Sequence, residues 1–282
     1  MSGDTQMSKT RTKVAAIQLA SGSNVSANLL ETERLCELAA RDGARLIVLP
    51  ENFAFMGRSC SDANALREHP GQGPLQGFLS QLATRLGVWI VGGTIPLEAE
   101  HAARWRAACT VYDDRGRQVA RYDKQHLFDV NLVESDEQFV ESEAIEPGDR
   151  VVVVDSPIGK LGLAVCYDLR FPELFRAMVD RGVEVIVLPA AFTAITGRAH
   201  WETLVRARAI ENLCYVIAAA QGGFHIASRE TFGHSMIVDP WGTRLAQRER
   251  GNGCVVAEID PDFQRTTRRN FPCLDHRRLH CR

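Results

Sequence analysis

The sequence predicts an α/β fold in four layers, α-β-β-α, and two observations carry that expectation. Short runs rich in Val and Ile alternate with helical periodicity, the pattern of βαβ connections whose helices pack outside a sheet. The same set of elements then occurs twice, so two sheets face each other and each is covered by its own helices. With 282 residues, 45% of them hydrophobic, the chain can fill a sizeable shared interior.

The first unit opens with strand KVAAIQLA (13–20), helix SANLLETERLCELAARDG (26–43) and strand ARLIVLPENF (44–53). Strand KLGLAVCYD (160–168), helix PELFRAMVDRG (172–182) and strand VEVIVLPAAF (183–192) repeat that order. LATRLGVWIVGGTI (82–95) resembles RARAIENLCYVIAAAQ (206–221), and the hairpin CTVYDDRGRQVARYDK (109–124) resembles HSMIVDPWGTRLAQ (234–247). Turn formers, Asp113-Asp114-Arg115-Gly116 and Asp239-Pro240-Trp241-Gly242, divide the extended runs as hairpins require. Pro172 suits the first turn of its helix. Residues 53–74 and the acidic stretch 128–149 resist regular structure, and long loops beside reactive groups commonly rim a pocket. No hinge or low-complexity linker interrupts 13–282, which reads as one domain behind a disordered polar N-terminus, 1–12.

A net charge of -2 gives no basic field to attract nucleic acid, so small-molecule chemistry is the better expectation. No apolar run approaches the ~18 residues of a membrane helix and the polar start lacks a secretory core, which predicts a cytoplasmic protein without membrane contact. The eight cysteines are scattered, with no C-x-x-C pair, and read as reduced thiols. Cys273, His276, His280 and Cys281 offer donor atoms without the ordered spacing of a zinc site, so no metal is expected.

Cys166 ends the apolar run LGLAVCYD, and DLRFPEL then reads as a sharp turn into a helix that would lift the sulfur out of the sheet. Glu51 closes ARLIVLPE and Lys124 closes RQVARYDK, strand ends being the usual address for ligands in open α/β sheets. A thiol, a carboxylate and an ammonium brought together would suit acyl transfer. Taken singly, a cysteine on an apolar strand is core and charged residues at strand ends are solvated caps, so convergence is an inference. His126, His200 and His234 are alternative bases for a Cys/His pair.

The segments LPENF (49–53), YDKQHLFDV (122–130) and CYDLRFPEL (166–174) resemble the three catalytic motifs of the nitrilase superfamily, the carbon-nitrogen hydrolases, a likeness running from about Lys13 to His280. That resemblance implies the four-layer fold and a cysteine-dependent amidase working through a thioester. Cys166 would be the nucleophile, Glu51 the general base, and Lys124 with the backbone N–H of Tyr167 the oxyanion donors. Glu141, in F-x-E-S (139–142), takes the place of the second catalytic glutamate, with Glu143 the alternative register. No metal or organic cofactor is implied, and the family forms homodimers or larger homo-oligomers.

Residues 191–212, 218–223 and 232–243 resemble the Nit branch, on the side of the deaminated-glutathione amidases rather than the ω-amidases; Cys273 and Asp275 depart from its usual tail. The implied reaction takes deaminated glutathione, a small anionic amide, to 2-oxoglutarate and Cys-Gly. The alternatives are 2-oxoglutaramate, N-carbamoyl amino acids, or a Nit-type interaction module with little activity; an intact Glu51, Lys124 and Cys166 argue against the last. Substrate contacts are expected from Arg170, Phe192, Thr193 and Thr196. Arg198 and Arg206 lie in nearby segments, and the sequence does not say which arginine points inward.

Overall fold

A computed structural model of the protein describes residues 11–132 and 137–279. The disordered start expected over 1–12 falls outside them except for Arg11 and Thr12, and Thr12 already opens the first strand. The first unit contains β1 (Thr12–Gln18), α1 (Val25–Arg41), β2 (Leu46–Val48), α2 (Pro74–Leu86), β3 (Trp89–Val91), β4 (Ile95–Glu98), β5 (Trp105–Tyr112) and β6 (Gln118–Asp123). A separate hairpin, β7 (Asp129–Leu132) and β8 (Glu137–Val140), precedes the second unit. That unit contains β9 (Val153–Ser156), β10 (Gly159–Leu163), α3 (Pro172–Asp180), β11 (Val185–Ala190), α4 (Ala194–Thr196), α5 (Glu202–Asn212) and β12 (Tyr215–Ala220). It continues through β13 (Gly222–Phe224), β14 (Glu230–Phe232), β15 (Ser235–Val238) and β16 (Arg244–Arg248). Strand β17 (Gly253–Ile259) and helix α6 (Pro261–Asn270) follow.

The duplication is visible strand by strand. In one sheet β1, β2 and β3 run parallel while β5 and β6 add antiparallel. In the other β10, β11 and β12 run parallel while β15 and β16 add antiparallel. Even the outer neighbours correspond, since β17 pairs antiparallel with β1 and β9 with β10. Strand β17 thus returns from the second half to complete the first sheet.

Period-2 alternation builds the layers. Val14 and Ala16 of β1 join the cluster shared with the second sheet, whereas Ala15 and Ile17 join Leu35 of α1 and Leu79 of α2 on the outer side. Helix α1 starts where Asn24 accepts a hydrogen bond from the Ala27 N–H, and its buried stripe, Asn28, Thr32, Leu35, Cys36 and Ala39, follows helical spacing. Helix α2 begins with Pro74 and stops at Gly87, whose φ of 62° supplies the left-handed cap.

The acidic stretch 128–149 is more ordered than expected. Pairing of Val130 with Phe139 sets the register of the β7–β8 hairpin, and the surrounding acidic residues hide that alternation in the sequence. Residues 60–66 of the other irregular stretch form a 3-10 turn. The strand carrying Cys166 ends early, at Leu163, and the cysteine opens a 3-10 turn, Cys166–Arg170.

Candidate active site

Glu51 stands three residues beyond β2, nearly sealed at 3% exposure. Its backbone is held from two directions: the Gln221 side-chain amide donates to the Glu51 carbonyl at 2.9 Å, and the Asn52 N–H donates to Thr94 Oγ1 at 2.9 Å. Gly93 permits the close approach, because a Cβ there would lie 2.1 Å from the Pro50 carbonyl oxygen. Lys124 directly follows β6 and is 1% exposed. Its Nζ donates to Glu51 Oε1 at 2.8 Å and sits 2.8 Å from Glu141 Oε2. Burial works against the charged form of Lys124, but the Glu141 and Glu51 carboxylates outweigh it and hold the ammonium above the ordinary lysine range.

Glu141 opens the turn after β8, and its Oε2 also accepts the Phe128 N–H at 2.8 Å. Of the two glutamates offered for this position, Glu141 reaches Lys124 and Glu143 is exposed. Cys166 has φ of 47°, a left-handed conformation uncommon outside glycine, and turns its sulfur toward the end of β11, where Sγ accepts the Ala191 N–H at 3.5 Å. Burial pushes this thiol well above its usual value, the Glu51 charge adds to the shift, and Lys124 opposes it. At rest the sulfur therefore carries its proton.

Asp168, fully buried, fixes the elbow from below. Its Oδ2 accepts the Val165 N–H at 2.8 Å and the Tyr122 hydroxyl at 2.7 Å. Its Oδ1 accepts the His126 N–H at 3.1 Å and lies 2.7 Å from His126 Nδ1. One carboxylate thus ties the cysteine turn to the strand end that delivers Lys124.

Glu51, Glu141, Cys166, Tyr167, Arg170, Phe192, Thr193 and Thr196 all line one cavity, with Lys124 bonded behind two of its walls. Arg170 lies over Phe192, its guanidinium carbon 5.3 Å from the ring centroid, and donates to His200 Nδ1 at 3.2 Å. The Thr193 and Thr196 hydroxyls bond each other at 2.8 Å, and Thr193 caps α4. Arg198 and Arg206 do not line this cavity; Arg206 Nε donates instead to the Gly242 carbonyl at 2.9 Å.

The histidines offered as alternative bases are engaged elsewhere. His126 binds Asp168 and stacks on Phe171, His200 accepts from Arg170, and His234 contacts the Phe232 carbonyl. Of the C-terminal donor cluster, His280 and Cys281 lie outside the described residues, among which no group of His, Cys, Asp and Glu could hold a metal.

Asn52, Cys60, Phe128, Ala191 and Arg229 also line the cavity and were not singled out from the sequence; Cys60 and Arg229 are the two with side chains that bear on its chemistry. Cys60 is pushed up to about 11, chiefly by burial and then by Glu141, and stays a neutral thiol. Arg229 has its guanidinium carbon 5.4 Å from the Phe139 centroid. Both also line an adjoining recess, whose remaining wall includes Phe55, Met56 and Trp105. Only spacing to the family motifs could have flagged them, because their loops carry no periodicity.

The described helices include none long and apolar enough to cross a membrane. The family profile described as Carbon-nitrogen hydrolase matches residues 13–269. A Yersinia enterocolitica protein named deaminated glutathione amidase is 41% identical over 267 residues, covering 94% of this chain and 93% of its own. The crystal structure of the C. elegans NitFhit protein superposes with a TM-score of 0.86 at 37% identity, over 96% of this chain and 66% of that one. Saccharomyces cerevisiae Nit3, a member of branch 10 of the nitrilase superfamily, superposes with a TM-score of 0.87 at 29% identity, over 98% of this chain and 100% of its own. The chain therefore belongs to the carbon-nitrogen hydrolase family and is a hydrolase of carbon-nitrogen bonds other than peptide bonds.

Proposed function

We propose that the protein hydrolyses deaminated glutathione to 2-oxoglutarate and Cys-Gly through a thioester on Cys166. The observation that carries the chemistry is a buried ammonium, Lys124, held at 2.8 Å by Glu51, a carboxylate that lines the same cavity as the protonated Cys166 thiol.

Attack begins as Glu51 takes the Sγ proton and the sulfur bonds the amide carbon. Negative charge moves to the carbonyl oxygen, where the Lys124 ammonium and the Tyr167 N–H stabilise it without reorganising. The C–N bond breaks as Glu51 returns the proton to the leaving amine. Water, deprotonated by Glu51, then attacks the thioester; the C–S bond breaks and the sulfur regains a proton. Glu141 keeps Lys124 aimed throughout.

The substrate reading rests on charge as well as on the named relative. Glu51, Glu141 and Lys124 sum formally to one negative charge, and Arg170 and Arg229 reverse it to one positive charge around a neutral thiol. Such a site suits a polyanionic amide better than an uncharged one. Values of kcat/KM on deaminated glutathione, 2-oxoglutaramate and N-carbamoyl amino acids test this, with deaminated glutathione expected to lead; preference for the carbamoyl compounds refutes it. The protein would act in the cytoplasm as a homodimer or larger homo-oligomer. Exposed Trp241 and Phe271, packed edge to face with ring centroids 5.8 Å apart, support the assembly, which light scattering would measure.

A further inference from the structure

We propose that Arg229 recognises a carboxylate on the leaving-group side of the scissile amide, so that the enzyme selects amides charged at both ends. This deepens the reading above and rests on it.

The site has two cationic poles in different places. Arg170 belongs to the cavity alone, in the wall with Tyr167, Phe192 and Thr196. Arg229 belongs to the wall shared with the recess, together with Glu51, Asn52, Cys60 and Glu141. Among the described residues lining the recess, it is the one cation.

The chemistry decides which end of the substrate meets which pole. The sulfur keeps the acyl carbon, so the acyl chain stays against the walls that hold Cys166, where Arg170 stands. The departing nitrogen takes its proton from Glu51, and the recess beyond is lined by Glu51 but not by Cys166. A substituent on that nitrogen therefore runs along the shared wall toward Arg229.

Arg229 has a donor to offer it: its Nε is buried without a hydrogen-bond partner among the described residues. The nearby acids do not claim it: the Glu141 oxygens are taken by Lys124 and the Phe128 N–H, and Cys60 remains neutral. Buried donors without an acceptor are rare in folded proteins, and a planar guanidinium fork matches a carboxylate. The loop is set for the task, since the Arg229 carbonyl accepts the His225 N–H at 2.8 Å and His225 Nδ1 lies 2.7 Å from the Ser21 carbonyl. The Phe139 ring supports the guanidinium plane from β8.

The test compares deaminated glutathione with 2-oxoglutaramate, which share the acyl group and differ in leaving group, Cys-Gly against ammonia. In Arg229→Gln the ratio of kcat/KM for the two falls by roughly 10- to 100-fold, the worth of a charge-assisted hydrogen bond pair. Arg170→Gln lowers both values together, because both substrates carry the same acyl end. An unchanged ratio in Arg229→Gln overturns the proposal. A second arm needs no variant: wild-type enzyme given deaminated glutathione with its terminal carboxylate converted to a carboxamide loses a similar factor. Equal turnover of acid and carboxamide also overturns it. Failure of the substrate reading itself shows separately, as wild-type enzyme that does not turn over deaminated glutathione, and takes this inference with it.

Discussion

The pairing of a proton-holding sulfur with a carboxylate that raises its pKa makes Glu51 both an obstacle and a tool. Its charge opposes ionisation of Cys166 before substrate arrives, then accepts the proton once Lys124 can balance the new oxyanion. Replacing Glu51 by Gln separates these effects. In Glu51→Gln, kcat should fall by at least about 10²-fold through loss of the general base, while the pH midpoint for iodoacetamide alkylation of Cys166 shifts down because a negative neighbour is gone. An upward shift would contradict the electrostatics; Cys166→Ala, abolishing turnover, is the companion control. These residues were legible because each ends a strand-like run, apolar for Glu51 and Cys166 and merely extended for Lys124, and fits a motif, whereas Arg229 lies between two three-residue strands, β13 and β14, with no pattern to read.

The elbow is the element on which these distances depend, and its rigidity comes from a residue whose role the sequence conceals. Asp168 was visible only as part of a turn; its partners Tyr122 and His126 lie 46 and 42 positions away and meet it through pairing of the two halves. All four of its contacts, Val165 N–H, Tyr122 hydroxyl, and the His126 N–H and ring nitrogen, ask for an acceptor on Asp168 or suit one. Asn offers the same shape but must place its NH₂ against at least one donor. Asp168→Asn should therefore lower stability by about 1–3 kcal/mol through an unsatisfied buried donor, seen as reduced Tm. It should also lower kcat more than it raises KM, since the sulfur and Lys124 lose alignment while the cavity walls persist. The β7–β8 hairpin teaches the converse lesson. Its Val130–Phe139 register was present in the sequence, but surrounding acidic residues disguised it as a solvated loop, although it carries Glu141 to its place.

Across the whole molecule, the duplicated strand order was readable because helical and strand periods alternate twice, but the return of β17 beside β1 depends on long-range pairing that no local pattern records. The resulting double core seals thiols from both halves, which links stability to pH. Burial pushes Cys36, Cys109 and Cys166 up, and Cys214 to about 11, from an ordinary value of 9.0. Above that ordinary value the unfolded chain releases thiol protons that the folded chain keeps, so the folded state binds more protons and stability falls as pH rises. The contribution is fully present below pH 9.0 and is lost on the way to the folded-state values. Between pH 9 and 10 each buried thiol should remove about 1 kcal/mol, so these four together approach the lower end of a domain's total stability, about 5 kcal/mol. Urea unfolding at pH 8, 9 and 10 measures the slope, with Cys214→Ala expected to flatten it by one thiol's share. A flat profile would mean that these sulfurs ionise in the folded state as they do in the unfolded chain, which their burial forbids.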